Sequence, residues 1–266
     1  MKLYLDPGHG GSDPGAVGNG LKEKEVVLDL AKIIVRLLRA YPKAQVKLSR
    51  SRDETKSLKA RTREANGWGA DLYLSLHCNA FNGEVRGYED YVYHRLPQQA
   101  KAATYRNILH KQLVTASGLP DRGEKKANFH VLRETTMPAI LTENGFIDHP
   151  EDAKLLKQDL WREKIAQAYV EALSEIFSLI KWDQTVQHGQ YAVVAGSFQN
   201  KSNAENRKAY LARIHDDAAL ERTTINGKTM YRVISGMFST RKEAENRVKQ
   251  LSSNGIEAFI IKRGNA

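Results

Sequence analysis

The chain has 266 residues, 41 Lys+Arg against 31 Asp+Glu, one cysteine and 41% apolar residues. That length suits one medium and one small domain, the apolar share excludes wholesale disorder, and one cysteine excludes a disulfide scaffold. No apolar run reaches the roughly 18–20 residues of a transmembrane helix, and Met1-Lys2 leads straight into Leu3-Tyr4-Leu5-Asp6 without the apolar run and cleavage site of a signal peptide.

In chain order, Lys2–Asp6 reads as a strand that runs into a glycine-rich turn, Asp6-Pro7-Gly8-His9-Gly10-Gly11. A dinucleotide fingerprint is excluded by spacing, because its third glycine would fall on Asp13. No phosphate-cradling G-x-x-x-x-G-K-[ST] run follows either, so the glycines are expected to let the backbone crowd around His9. Glu23–Ala40 is helical, with Val26, Val27, Leu30, Ile33, Ile34, Leu37 and Leu38 on one stripe. Gln45–Arg50 reads as a strand, Leu58–Asn66 as a helix, Asp71–His77 and Gly87–Tyr93 as strands. Gln98–Ser117 is helical, Pro138–Glu143 a strand and Glu151–Ile180 a helix. Strands alternating with helices predict an α/β fold whose mostly parallel sheet is flanked by helices.

Lys181–Gln190 is polar and aperiodic and reads as a linker. Beyond it lies an internal repeat: Tyr191-Ala-Val-Val-Ala-Gly196-Ser-Phe198 is echoed by Tyr231-Arg-Val-Ile-Ser-Gly236-Met-Phe238, and Ala204-Glu-Asn-Arg207 by Ala244-Glu-Asn-Arg247, all 40 residues apart. Each half reads strand, helix, strand, which predicts a small α+β module of βαββαβ order. The domains are therefore expected at 1–180, 181–190 (linker) and 191–266. Of the net charge of +10, +6 falls on the last 76 residues. Nucleic acid and anionic wall polymers both suit that charge, but its lysines and arginines alternate with acids along stretches such as Arg241–Gln250, as on a solvated helix face.

The chemistry gathers at strand ends. His9 lies just past one strand and His77 closes another; Glu23 opens the first helix and Glu143 closes Ala139-Ile-Leu-Thr-Glu143. In an open parallel sheet the carboxyl ends share one edge, where sites form. Two His and one Glu there make a His₂Glu set suited to zinc with a position open for water, whose pKa zinc lowers to about 7. Glu143 is then the carboxylate to move the proton. Alternatives remain on these residues alone. A lone His is more often a surface or hydrogen-bonded group, and six others are present: His94, His110, His130, His149, His188 and His215. His130, before the strand-like Val131-Leu132-Arg133, is the main competitor. Cys78 beside His77 is expected to pack in the core, because strand neighbours point to opposite faces. Arg61 and Asn66 are expected to be helix-packing or capping residues.

The stretches Asp6–Gly11 (DPGHGG), Asp13–Gly18 (DPGAVG), Leu21–Glu25 (LKEKE), Leu58, Arg61 and Ala65-Asn66, Ala70–Ala80 (ADLYLSLHCNA), Gly87–Tyr91 (GYEDY), Arg122-Gly123, Phe129–Arg133 (FHVLR) and Pro138–Phe146 (PAILTENGF) run through the domain in order. In them the first 180 residues resemble a zinc-dependent N-acetylmuramoyl-L-alanine amidase of the amidase-3 type. The resemblance implies zinc on His9, Glu23 and His77, Glu143 as catalytic acid/base, and no other cofactor. Within LKEKE, Glu23 matches the ligand and Glu25 a non-ligand acid; Cys78 stands where the family has a small or aliphatic residue. The C-terminal module resembles a SPOR domain, with Val194 where a Gln is common, and the whole chain resembles sporulation-type lytic amidases of Bacillus.

The expected function is peptidoglycan hydrolysis at the amide between N-acetylmuramic acid and the L-alanine of the stem peptide. The stem-peptide amide is expected in the catalytic domain and the glycan strand on the SPOR-like domain; neither a nucleic-acid partner nor a membrane span is expected. The rivals are a zinc peptidase cutting within the stem peptide and a catalytically silent wall-binding protein. Synthesis in the cytoplasm and action after release or lysis are expected, in mother-cell lysis at sporulation ahead of phage lysis.

Overall fold

The computed structural model describes residues 1–41, 43–181, 189–213 and 218–263. Most of the linker (182–188, with His188) and His215 lie outside the described residues. The chain forms two compact units, one comprising Met1–Leu38 and Lys43–Leu179, the other Arg39–Pro42 and Ile180–Ala266.

The first unit is built on strands β1 (Lys2–Pro7), β4 (Gln45–Leu48), β5 (Leu72–Asn79), β6 (Tyr88–Tyr93), β7 (Asp121–Ala127) and β8 (Ala139–Phe146), in the order β4-β1-β5-β8-β6-β7. β2 (Val17–Gly18) and β3 (Leu21–Lys22) form a separate small hairpin. β4, β1, β5 and β8 run parallel, so the carboxyl ends of β1, β5 and β8 lie together. β6 is antiparallel to β8, and β7 is parallel to β6. The reversal follows from chain length: the link from β5 to β6 holds no helix, and a parallel crossover needs a dozen or more residues.

Helices cover both faces. α1 (Glu23–Leu38) and α3 (Lys101–Ser117) each pack on α6 (Asp159–Phe177) on one side. α2 (Leu58–Trp68) and the short α4 (His130–Arg133) share the other, where Tyr4, Ala65, Tyr73, Val131, Leu132 and Leu141 form a core cluster. Burial on two faces explains why Leu3-Tyr4-Leu5 and Leu72-Tyr73-Leu74 are apolar without alternation. Ser57 caps α2 by accepting from Ala60 N at 3.2 Å, and Gly69 ends it at φ 64°.

Three local readings change. Val131–Arg133 is helical, in α4. The helix expected over Glu151–Ile180 is two helices, α5 (Pro150–Leu156) and α6. Asp152, fully buried in α5, accepts Gly87 N and Phe146 N at 2.8 and 3.0 Å, which fixes the direction of α5 from outside the helix. β7, DRGEKKA, lacks strand character in its sequence because it is a charged edge strand, the kind that resists further pairing.

The second unit runs β9 (Tyr191–Phe198), α7 (Lys201–Arg213), β10 (Ala219–Ile225), β11 (Lys228–Phe238), α8 (Arg241–Ser252) and β12 (Phe259–Lys262). Its antiparallel sheet has the order β10-β11-β9-β12. The two repeats pair with each other head to tail: Tyr191 lies opposite Phe238, and Phe198 opposite Tyr231. Ala204 and Ala244, equivalent in the repeat, are both fully buried in the same core cluster.

Candidate active site

The site starts from the turn after β1. His9 takes a left-handed conformation, φ 58°, which a non-glycine residue holds only when its surroundings impose it. Two buried guanidinium groups do so. Arg50 donates from Nε to Pro7 O at 3.0 Å and from Nη2 to Gly8 O at 2.7 Å. Arg61 donates from Nη1 to Pro7 O at 2.9 Å and from Nη2 to His9 O at 2.6 Å. Three successive carbonyls are thus held by side chains that are 2% and 3% exposed. Arg61 also pairs with the buried Asp6, whose Oδ2 accepts from Tyr73 Oη at 2.5 Å and Ser75 Oγ at 3.0 Å. Burial alone would raise the Asp6 carboxyl; the Arg61 charge and the hydroxyl bonds outweigh it and hold the group below the ordinary carboxylate range. Arg61 is therefore more than the helix-packing residue expected: it holds the turn that carries His9. Asn66 bridges α2 to the loop after α4, donating to Glu134 O at 2.9 Å and accepting Thr136 N at 3.0 Å.

His9, Glu23 and His77 converge, with one ligand atom of each within 4.8 Å of the others. His9 Nε2 lies 3.1 Å from Glu23 Oε2, and His77 Nδ1 lies 2.9 Å from Glu23 Oε1. The rings meet edge to face at 4.9 Å. Glu23, 3% exposed, is fixed at the start of α1 because its oxygens accept Ala16 N at 2.8 Å and Cys78 N at 3.0 Å. Burial pushes the Glu23 carboxyl up, but the bonds from His77 and His9 dominate and hold it well below its usual range. Burial lowers His9 and the Glu23 and Asp13 carboxylates raise it, with a net upward shift. Asp13 Oδ2 sits 2.8 Å from His9 Nδ1, which leaves Nε2 turned to Glu23.

The glycines make room for this cluster. A Cβ on Gly8 would stand 2.3 Å from His77 Cε1, and one on Gly15, at φ 66°, would stand 2.5 Å from Glu23 Oε2 and 2.7 Å from His9 Cδ2. The crowding expected around His9 thus extends to all three side chains.

Glu143 lies in β8 opposite His77 of β5 on one side and Glu89 of β6 on the other. Its Oε2 is buried without a hydrogen-bond partner among the described residues. Burial, reinforced by the charges of Glu23 and Glu89, pushes its carboxyl well above the ordinary value, and Lys125 offsets this in part. Glu89 itself is neutralised from the edge strand, by Arg122 at 2.8 Å and Lys125 at 2.5 Å. A cleft of ≈ 500 Å³ opens beside His9, His77 and Glu143; its walls are the start of α2 on one side and Phe129–Val131 on the other.

Among the other described histidines, His110 is held between Asp90 (2.8 Å) and Asp121 (3.0 Å), and His149 caps α5 by accepting Glu151 N. His130 lines the cleft, and none of these belongs to the three-residue cluster. Cys78 is buried. Among the described residues no helix is long and apolar enough to cross a membrane.

Comparison with known proteins places the chain in a family. The profile of the N-acetylmuramoyl-L-alanine amidase family, Amidase_3, matches residues 3–175, and that of the SPOR domain matches residues 187–262. The chain is similar to the N-acetylmuramoyl-L-alanine amidase CwlM of Bacillus licheniformis, 45% identical over 79% of this chain and 80% of that protein. It is similar to the sporulation-specific N-acetylmuramoyl-L-alanine amidase of Bacillus subtilis (strain 168), 44% identical over 77% and 78%. The endolysin of Bacillus phage SPP1 is 41% identical over 67% of each chain. Among solved structures, the catalytic domain of CwlV from Bacillus (Paenibacillus) polymyxa var. colistinus superposes with a TM-score of 0.64 at 32% identity, covering 67% of this chain and 99% of that one.

Proposed function

The chain belongs to the Amidase_3 family of N-acetylmuramoyl-L-alanine amidases and carries a SPOR domain, and from that premise we propose that it is a zinc enzyme with Glu143 as its acid/base. As an amidase of peptidoglycan it hydrolyses the bond between N-acetylmuramic acid and the L-alanine of the stem peptide. The observation that carries the zinc reading is the convergence of His9, Glu23 and His77 within 4.8 Å. The mixed imidazole and carboxylate donors suit zinc. The glycine backbone packed around them fits the same reading, since it leaves no room for added side chains. When bound there, zinc supplies Lewis-acid polarisation of the scissile carbonyl and a water acidic enough to react at neutral pH.

The chain's own groups do the rest. Asp13 fixes the His9 ring, and the backbone N–H groups of Ala16 and Cys78 fix Glu23. The Glu143 carboxylate would take a proton from the attacking water and return it to the departing amine of L-alanine, which leaves as a neutral amine. Its raised pKa suits the donor half of that cycle. On the SPOR module we assign binding of the glycan strand, supported by the repeat and the family match. The setting we assign is wall lysis, sporulation ahead of phage lysis. The sporulation-specific relative supports this, matching 77% of the chain against 67% for the endolysin.

The test is mass spectrometry of products from Gram-positive sacculi, with and without chelator. Free stem peptides beginning at L-alanine, lost on chelation and restored by zinc, are expected. Cleavage inside the peptide replaces the bond, and no release with sacculi still bound makes the protein a binder. A second expected result concerns Asp13→Ala. Loss of an outer partner of a metal-bound histidine costs about 10–100-fold in metal affinity. Titration against a chromophoric chelator reads this directly, and an unchanged affinity removes Asp13 from the site.

A further inference from the structure

The cleft beside His9, His77 and Glu143 carries two large apolar side chains open to solvent, Leu58 and Phe129, at 54% and 40% exposure. A single exposed apolar residue needs no cause. These two differ by place, because both line the cleft that holds the reacting groups. Both also sit on fixed backbone. Leu58 opens α2 directly after its cap, Ser57, whose Oγ accepts Ala60 N at 3.2 Å. The carbonyl of Phe129 accepts Leu132 N at 3.1 Å and Arg133 N at 3.0 Å, and its ring packs edge to face on Tyr91 at 5.2 Å. α2 and α4 meet in the cluster that holds Ala65, Val131 and Leu132. The two apolar side chains are thus carried by one packed pair of helices.

Glu143 decides which half of the substrate meets them. It lines the same cleft, and an amine that it protonates must come within roughly 2.6–3.2 Å of it. That amine is the nitrogen of L-alanine, so the alanine Cα and its methyl group enter the cleft with it. Beyond the methyl, the peptide at that point is polar amide backbone. We propose that Leu58 and Phe129 are specificity-determining residues that enclose the methyl group of the first stem-peptide residue and select alanine over glycine there. This rests on the amidase reading and on the part given to Glu143. Apolar walls gain by exchanging their water for a methyl group, and glycine leaves that space unfilled.

The test uses the full chain loaded with zinc and two soluble muramoyl tripeptides, one with L-alanine and one with glycine at the first peptide position. The readout is the ratio of their kcat/KM values, which loss of fold or of metal does not move, since either lowers both alike. The wild type is expected to prefer alanine by about tenfold, the low end of discrimination by one small apolar group, because both walls are part-exposed. Leu58→Ala and Phe129→Ala are each expected to cut the preference to about threefold, and the double variant to about twofold or less, on the scale of one methyl group. The loss is expected to fall mainly on the alanine substrate. Leu58→Met conserves volume and is expected to keep the wild-type ratio. A wild type without preference overturns the proposal. A preference that survives the double variant overturns it, as does an equal fall on both substrates, which marks a structural role. Mass spectrometry of the same digests reads the bond separately. Cleavage within the peptide removes the amidase reading and the proposal with it, whereas cleavage at the muramoyl amide with a constant ratio removes the proposal alone.

Discussion

Glu143→Ala is expected to keep the fold and the metal and to lower kcat by about 10²–10⁴, the range for loss of a positioned acid/base. Three observations set this outcome. The carboxyl sits on a rigid strand, flanked in register by His77 and Glu89. Its Oε2 has no hydrogen-bond partner among the described residues, so truncation orphans none of them there. Burial and the nearby carboxylates of Glu23 and Glu89 disfavour its charged form, so removing it breaks no ion pair among the described residues. Tm is therefore expected to hold or rise. Turnover on a soluble muropeptide, zinc by elemental analysis and thermal unfolding together decide the matter. Zinc lost along with activity would make Glu143 a ligand, and retained activity would move the proton transfer elsewhere.

Arg61→Met is expected to destabilise the protein by about 3–5 kcal/mol, the scale for removing one partner of a buried ion pair. The substitution leaves Asp6 charged at a fully buried position, releases the carbonyl of His9 and removes one of the two guanidinium bonds to Pro7 O. Asp6→Asn added to Arg61→Met should recover part of the loss, and the double-mutant cycle isolates the coupling. The acid dependence has a defined sign. The folded Asp6 carboxyl lies below its unfolded value of about 3.9. Its contribution is full above that pH and is lost as pH falls through the folded value. Wild-type stability should therefore drop more steeply below about pH 4 than that of Arg61→Met. Urea unfolding from pH 3 to 6 measures both effects. A loss under about 1 kcal/mol, the scale of an exposed pair, with the same acid profile in both proteins would show that the pair does not hold the turn.

The two predictions divide the site into the part legible in the sequence and the part that is not. His9, Glu23, His77 and Glu143 can be picked out along the chain because each sits at the end of a segment with a clear period. The parallel order of β1, β5 and β8 then carries those ends to one edge. The apolar stripe of α1 and the 40-residue repeat are equally local, since pattern within a short window determines them. Arg61 was legible as a helix residue and no more, because its partner Asp6 is 55 positions away and nothing near either residue signals the pair. Arg50, reaching back 42 residues to Gly8, is the same case. A buried guanidinium and an exposed one look alike in a sequence.

The sequence by itself determined most element types, the module order and the donor set of the cluster, because these follow from side-chain period and donor type. The tertiary structure decided which way β6 and β7 run, that β7 is a strand at all, where the helix after Pro150 breaks, and that His130 lines the cleft. β7 shows why. Its Arg122 and Lys125 are neutralised by Glu89 on the neighbouring strand. Across a sheet a charged segment becomes a strand through partners that lie far off in the chain, and short-range pattern carries no record of them.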